Sequence, residues 1–226
     1  LTVSLVFLIC VGLPIAHGAT NEDKLREANG LNDRALILFN VGQYKQALPL
    51  VEKALRLRSE TLDEKHPEMF QSIINLAQTY AALGRHADAL PHFEKGCQLG
   101  IEMLGEQHLH TLMCLNNLAT TYNAIGRPTK ALPLNEKTLR LRTETQGEKH
   151  PDTLTSLSHL AQTYNDLGRH AEALALHEKA LRLYTETLGE KHSDTLGSLN
   201  NLAATDVALG LPAKALPLNE KALRLY

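Results

Sequence analysis

Glu148, Lys149, His150 and Asp152 lie within five residues of one another in the stretch GEKHPDTLTSL, residues 147–157. A carboxylate beside an imidazole is a common pairing for general acid–base catalysis. His with Asp and Glu is also a donor set that divalent metals accept. The chain holds 11 histidines, so both chemistries need a test. His66, His108, His150 and His192 recur every 42 residues, which makes them one residue repeated rather than four that converge. Equivalent atoms of stacked units lie at least one helix diameter, ~10 Å, apart. Zinc needs its donors at about 2.0–2.1 Å from one ion. His86 and His170 repeat a second register in the same way. The sequence carries no HExxH, no GxSxG and no Gly-rich phosphate loop. No enzymatic activity, metal or cofactor is expected.

The same stretch reads better as a connector. Gly147 ends one helix, and Pro151 suits a first helical position, where its missing donor costs nothing. Asp152 in a first turn favours the helix dipole. Glu148, Lys149 and His150 are then turn residues exposed to water. Other copies carry Leu109 or Ser193 at the place of Pro151.

The repeat behind this connector organises the whole chain. Gly42, Gly84, Gly126, Gly168 and Gly210 keep the 42-residue step, as do Leu48, Leu90, Leu132, Leu174 and Leu216. So do the Glu-Lys pairs that begin at Glu52, Glu94, Glu136, Glu178 and Glu220. Five units result, at about 28–66, 67–108, 109–150, 151–192 and 193–226, the last incomplete. Each unit reads as two helices. Leu112, Leu115, Leu118, Ala119 and Tyr122 share one helical face, and Gly126 suits the left-handed position that closes it. Ala131, Leu132, Leu134, Leu139 and Leu141 carry a second apolar face, with Glu136, Lys137, Arg140 and Arg142 on the solvated side. Alanines fill one register of the first helix (Ala35, Ala77, Ala119, Ala161, Ala203) and one of the second (Ala47, Ala89, Ala131, Ala173, Ala215). Small side chains at both places predict close helix packing. Pro49, Pro91, Pro133 and Pro217 stand near the start of the second helix, so that helix is expected to begin late or to kink there.

Composition agrees with a helical reading. Hydrophobic residues make up 43% and aromatic ones 4%, with no Trp, so the core must be built mainly of Leu and Ala. A formal net charge of −2 provides no field for nucleic acid or acidic lipid. Residues 1–18, LTVSLVFLICVGLPIAHG, read as a secretory signal peptide cleaved near Gly18 or Ala19, too short in its apolar run to span a membrane. Residues 19–27 form a lead-in. The mature chain is therefore expected to be exported, to the periplasm or beyond. No basic residues precede the apolar run, which points to a start upstream of Leu1. Cys97 and Cys114 have two open readings: small buried core residues, or a disulfide between successive helices in an oxidising compartment.

Leu, small, Tyr, Gly and Ala at these offsets resemble the tetratricopeptide repeat. The 42-residue step, with LNNLA in the first helix and GEKHPD between units, resembles its kinesin light chain type as found in bacteria. The resemblance covers about nine tenths of the chain. It implies an all-α fold, an α-solenoid winding as a right-handed superhelix with a concave groove lined by the first helices. Leu38 and Asp206 stand where Tyr80, Tyr122 and Tyr164 carry the motif, so looser packing is expected at both outer repeats.

The resemblance also implies a site. The first helices would expose Gln71, Asn75 and Gln78, then Asn116, Asn117, Thr120 and Asn123, then Ser158, His159, Gln162 and Asn165, and finally Asn200 and Asn201 to the groove. An amide carries donor and acceptor together and can pair with an extended peptide backbone. The alternative is that these are only polar positions on a solvated face. Asn is a mediocre helix former, which favours the first view. Chaperone-binding relatives clamp a carboxylate with Lys and Arg, but Met113, Asn117, Thr155 and His159 stand at those places, so a neutral segment fits better. The expected function is a non-enzymatic scaffold for a peptide or protein partner. The alternative is a sensor or oligomerisation arm of a larger protein with a C-terminal effector domain, such as a caspase-like protease. The chain stops inside its last expected helix, with no polar capping helix after it.

Overall fold

The computed structural model describes residues 20–225. They form α1 (Asn21–Asn40), α2 (Tyr44–Ser59), α3 (Pro67–Ala82), α4 (His86–Leu104), α5 (Leu109–Ala124), α6 (Pro128–Gln146), α7 (Pro151–Asp166), α8 (His170–Leu188), α9 (Ser193–Ala208) and α10 (Pro212–Leu225). No strand occurs among the described residues. Each helix packs on the next in chain order, and α3, α5 and α7 also touch one another along one side. That is the α-solenoid. The leader expected at 1–18 lies outside the described residues, and residues 21–27 of the lead-in are already the first turns of α1.

Local rules set the ends of the helices. The connector histidines are not idle turn residues, as the sequence suggested for His150. His66, His108, His150 and His192 are N-caps, each accepting through Nδ1 a hydrogen bond from the amide two residues on, at 3.2 Å. An imidazole nitrogen thus does what Ser or Asp does at most caps, satisfying one of the four orphan donors. At the other end Gly126 takes φ 72° and Gly147 φ 89°, left-handed conformations that a Cβ would strain.

The prolines overturn one expectation. Pro49, Pro91, Pro133 and Pro217 lie inside α2, α4, α6 and α10, so these helices do not begin late. They start five residues ahead of each proline, because Ala47, Ala89, Ala131 and Ala215 must already be helical to be buried. Each proline forgoes one helical hydrogen bond. The alanines of both registers are between 0 and 2% exposed, so the two helices of each pair do approach closely.

Four joints link the five helix pairs, each between a second helix and the next first helix. Leu55, Leu139 and Leu181 occupy one register of the second helices and pack on the core of the following joint. In α4 the same register holds Cys97, and the facing register of α5 holds Cys114. The two form a disulfide with Cα atoms 5.4 Å apart, and both are buried. Gly96 and Gly100 flank Cys97. A Cβ on Gly96 would stand 2.5 Å from Ile74, and one on Gly100 would crowd Phe70 and Thr111. At two other joints the serine of the Cys114 register meets a buried arginine. Arg58 donates to Ser72 at 2.6 Å and to Asn29 at 2.6 Å. Arg142 donates to Ser156 at 3.1 Å and to the Asp152 carbonyl at 2.6 Å.

The Glu-Lys pairs of the second helices work in both directions along the array, though not every pair does both. The lysine reaches back to the glutamate of the connector that opens its own repeat: Lys95 to Glu64 at 2.7 Å, Lys137 to Glu106 at 2.6 Å, Lys179 to Glu148 at 2.5 Å and Lys221 to Glu190 at 2.8 Å. The glutamate accepts from the tyrosine of the next first helix: Tyr80 to Glu52 at 2.8 Å and Tyr164 to Glu136 at 3.1 Å, with Tyr122 on Glu94 alike. Burial, with the Glu94 hydrogen bond, pushes Tyr122 up to about 12, so it stays a donor. Asp206 replaces the tyrosine in α9 and is buried with one carboxylate oxygen unpartnered.

Two outcomes follow from the joints. The disulfide closes a span of 17 residues, for which chain entropy gives roughly 3 kcal/mol. Replacing both Cys97 and Cys114 by Ser is expected to lower unfolding free energy by about 2–3 kcal/mol in urea titrations. A wild-type midpoint unmoved by a strong reductant would contradict the bond. The other outcome concerns His177, which is fully buried in α8 with neither ring nitrogen partnered. Burial pushes its imidazole down to about 4, against about 6.5 in an unfolded chain. The unfolded state therefore binds the proton first as pH falls. Stability is held above pH ~6.5 and declines by a few kcal/mol toward pH ~4. His177→Asn, which copies Asn135 of the same register, is expected to flatten that decline in denaturant titrations at pH 7 and pH 4.5.

Candidate peptide-binding groove

First helices expose to one side the residues that the tight second-helix packing leaves free. Down that side run four recesses. The first lies between α1 and α3, lined by Leu36, Phe39, Val51, Asn75 and Gln78 among others. The second adds His86, Phe93, Asn117 and Thr120. The third is formed by Thr120, Asn123, Ala124, His159, Gln162 and Asp166. The last runs over Ser158, His159, Gln162, Gly197 and Asn201. Adjacent recesses share residues: Phe39 and Gln78, then Thr120, then His159 and Gln162. They form one continuous surface along the first helices.

The structure sorts the residues expected there. Asn117, Thr120, His159, Gln162, Ser158 and Asn201 line recesses, as do Gln78, Asn75 and Asn123. Gln71 is exposed and donates to Asn75 at 2.7 Å. Asn200 is exposed but lines none of the four recesses. Asn116 is a correction. It is only 6% exposed and its carbonyl oxygen has no partner. The neighbouring residue, Asn117, is the one that faces out.

Side-chain hydrogen bonds narrow the set further. Asn123 donates to Thr163 at 2.7 Å and Asn165 donates to Thr205 at 2.7 Å, each tying a first helix to the next. Asn165 also pairs with His170 at 3.1 Å. Asn75 donates to Asn32 at 2.7 Å. These amides are structural at least in part. Asn117 and Asn201 make no side-chain hydrogen bond among the described residues. Gln162 donates to Asp166 at 2.8 Å, which leaves its carbonyl free. His159 is pushed down by burial and then by Arg142, so it meets a ligand as a neutral ring. Its Nδ1 has no partner.

Sequence reasoning missed the apolar part of this surface. Leu36 and Phe39 sit on α1 in the first recess, and Phe93 floors the second. Leu36 occupies the register of Gln78, Thr120 and Gln162. A leucine at a register that elsewhere holds Gln, Thr or Ala was the available signal.

The sequence profile of the tetratricopeptide repeat matches residues 26–102, 111–184 and 152–226. Among solved structures, nearly identical TPR-like repeats of a Podosopora anserina protein assigned as a kinesin light chain are 27% identical. They superpose with a TM-score of 0.75, covering 89% of this chain and 95% of that one. BtubC (BKLC) from P. vanneervenii is 21% identical, with a TM-score of 0.71 over 91% of this chain and 87% of that one. A Rap protein in complex with competence and sporulation factor is 13% identical, with a TM-score of 0.73 over 89% of this chain and 54% of that one. At such identities the last two share the fold alone. No curated protein matches the chain.

The two classes of amide should separate in stability measurements. Asn165→Ala removes a bond between repeats and is expected to cost about 1 kcal/mol. Asn201→Ala removes none and should stay within about 0.5 kcal/mol of wild type. Equal losses from both, in parallel urea titrations, would contradict the division.

Proposed function

Because the chain belongs to the tetratricopeptide repeat family, we propose that it is a non-enzymatic scaffold that holds an extended segment of a partner protein in its concave groove. One observation carries this reading. Asn117, His159, Gln162 and Asn201 present polar groups without internal partners along one continuous recessed surface. Such groups can pair with the donors and acceptors of a peptide backbone. A Rap protein that shares the fold is complexed with competence and sporulation factor, which supports partner binding as a use of this fold. The connector histidines, whose cluster first suggested chemistry, commit Nδ1 to capping instead.

Export is part of the proposal. A buried disulfide between repeats suits an oxidising compartment, and it accords with the leader read in residues 1–18. A second reading, the arm of a larger protein, draws on α10. Leu216 and Leu223 are 60% and 77% exposed, although their registers hold Leu174 and Leu181, which are only partly exposed in α8. The reading frame downstream of Tyr226 tests it: a frame that continues into an effector domain favours it, and a stop codon removes it.

The groove reading is tested with the purified array as bait and mass spectrometry of what it retains. Replacing Asn117, His159 and Asn201 together by Ala is expected to weaken the retained partner at least about tenfold, or ~1.4 kcal/mol, with the unfolding midpoint held. Unchanged affinity would sink the groove as the binding site.

A further inference from the structure

The groove is not uniform along its length, and the difference specifies a ligand. The recess between α1 and α3 has a volume of about 110 Å³, is more enclosed than the other three and is apolar on most of its wall. Leu36 and Phe39 line it from α1 and Val51 from α2, while Asn75 and Gln78 come from α3. Leu36 is 52% exposed there. The hydrogen bond from Asn75 to Asn32, at 2.7 Å, bridges the two helices beside it. Phe39 is held edge-on against Tyr44, with ring centroids 4.9 Å apart. The second and third recesses also have mostly apolar walls, and only the last, between α7 and α9, is more polar than apolar, with Thr155, Ser158, His159, Gln162 and Asn201 in it. None of the four recesses is lined by Lys or Arg, and Asp166 and Asp194 stand in the last two.

We propose that the recess between α1 and α3 is an anchor pocket for one large apolar side chain of a linear peptide whose remaining residues are uncharged or basic. This rests on the groove reading above and adds to it a direction and a composition. The anchor sets the end of the peptide that lies on α1. The rest runs toward α9 over the free polar groups. Four steps between first helices, each about 10 Å, span roughly 40 Å, which an extended chain covers in about a dozen residues. Acidic residues are disfavoured because the surface offers carboxylates and no cation to meet them. A side chain that leaves water for the recess contributes in proportion to its apolar area, so Phe, Trp, Leu or Met fit and Ser or Gln do not.

The test is selection from a displayed library of random 12-residue peptides on the immobilised array. Selected peptides are expected to carry one large apolar residue at a fixed place and to lack Asp and Glu. Leu36→Glu and Phe39→Ala, each checked for an unchanged unfolding midpoint, are expected to weaken them at least about tenfold. N-acetyl-phenylalaninamide alone is expected to shift the methyl signals of Leu36 and Val51, and N-acetyl-glutaminamide is not. Peptides that bind without an apolar preference, and are indifferent to Leu36→Glu, would overturn the anchor while leaving the groove reading intact. A library that yields no binder to the folded array would overturn both.

Discussion

Each second helix buries a stripe of side chains against the first helix of the next repeat, and every other feature of the array depends on that joint. A pair of helices this short cannot bury its apolar faces alone. The alanines at 0–2% exposure bring the two helices of a pair together, but they leave Leu55, Leu139 and Leu181 on the outer side of the pair. These leucines find their cover only in the following repeat. Stability in such a chain is a sum of repeats and joints, so the differences among joints matter more than the likeness among repeats.

The joints reach the same end by different chemistry. One is closed by a disulfide with glycines beside it. Two use a buried arginine on a serine. The joint of α8 and α9 holds a neutral histidine with no partner. A buried charge is tolerated only where hydrogen bonds meet it, which Arg58 and Arg142 achieve through side-chain and backbone acceptors. His177 reaches neutrality by losing its proton instead. The Glu-Lys pairs lie outside the joints, largely in water, where each adds little alone. Their value is in register: lysine to the repeat's own connector, glutamate to the next repeat's tyrosine.

The groove is the residue of this arrangement. Once the second helices are pressed into the joints, the first helices keep one side uncovered. That side carries groups which the stacking does not use. Asn123 and Asn165 are taken up by threonines of the next first helix, whereas Asn117 and Asn201 stay free. Recognition therefore falls to the positions that stability left uncommitted, and the anchor end at α1 lies where Leu36 and Phe39 stand in registers that elsewhere hold smaller or polar residues.

The sequence by itself determined the period, the two helices of each unit, the alanine registers and the connector. These are local or strictly repeated patterns, and a 3.6-residue periodicity is legible in one dimension. The stretch of each first helix expected at the groove came from the resemblance to the tetratricopeptide repeat rather than from the pattern itself. Only the tertiary structure decided which asparagines in that stretch are free, because one helical position separates buried Asn116 from outward Asn117. It decided that the connector histidines cap helices and that Cys97 and Cys114 are bonded. It also paired Lys179 with Glu148 and Tyr164 with Glu136. Those partners lie some thirty residues apart. Their meeting depends on how one repeat rotates against the next, which no local pattern encodes.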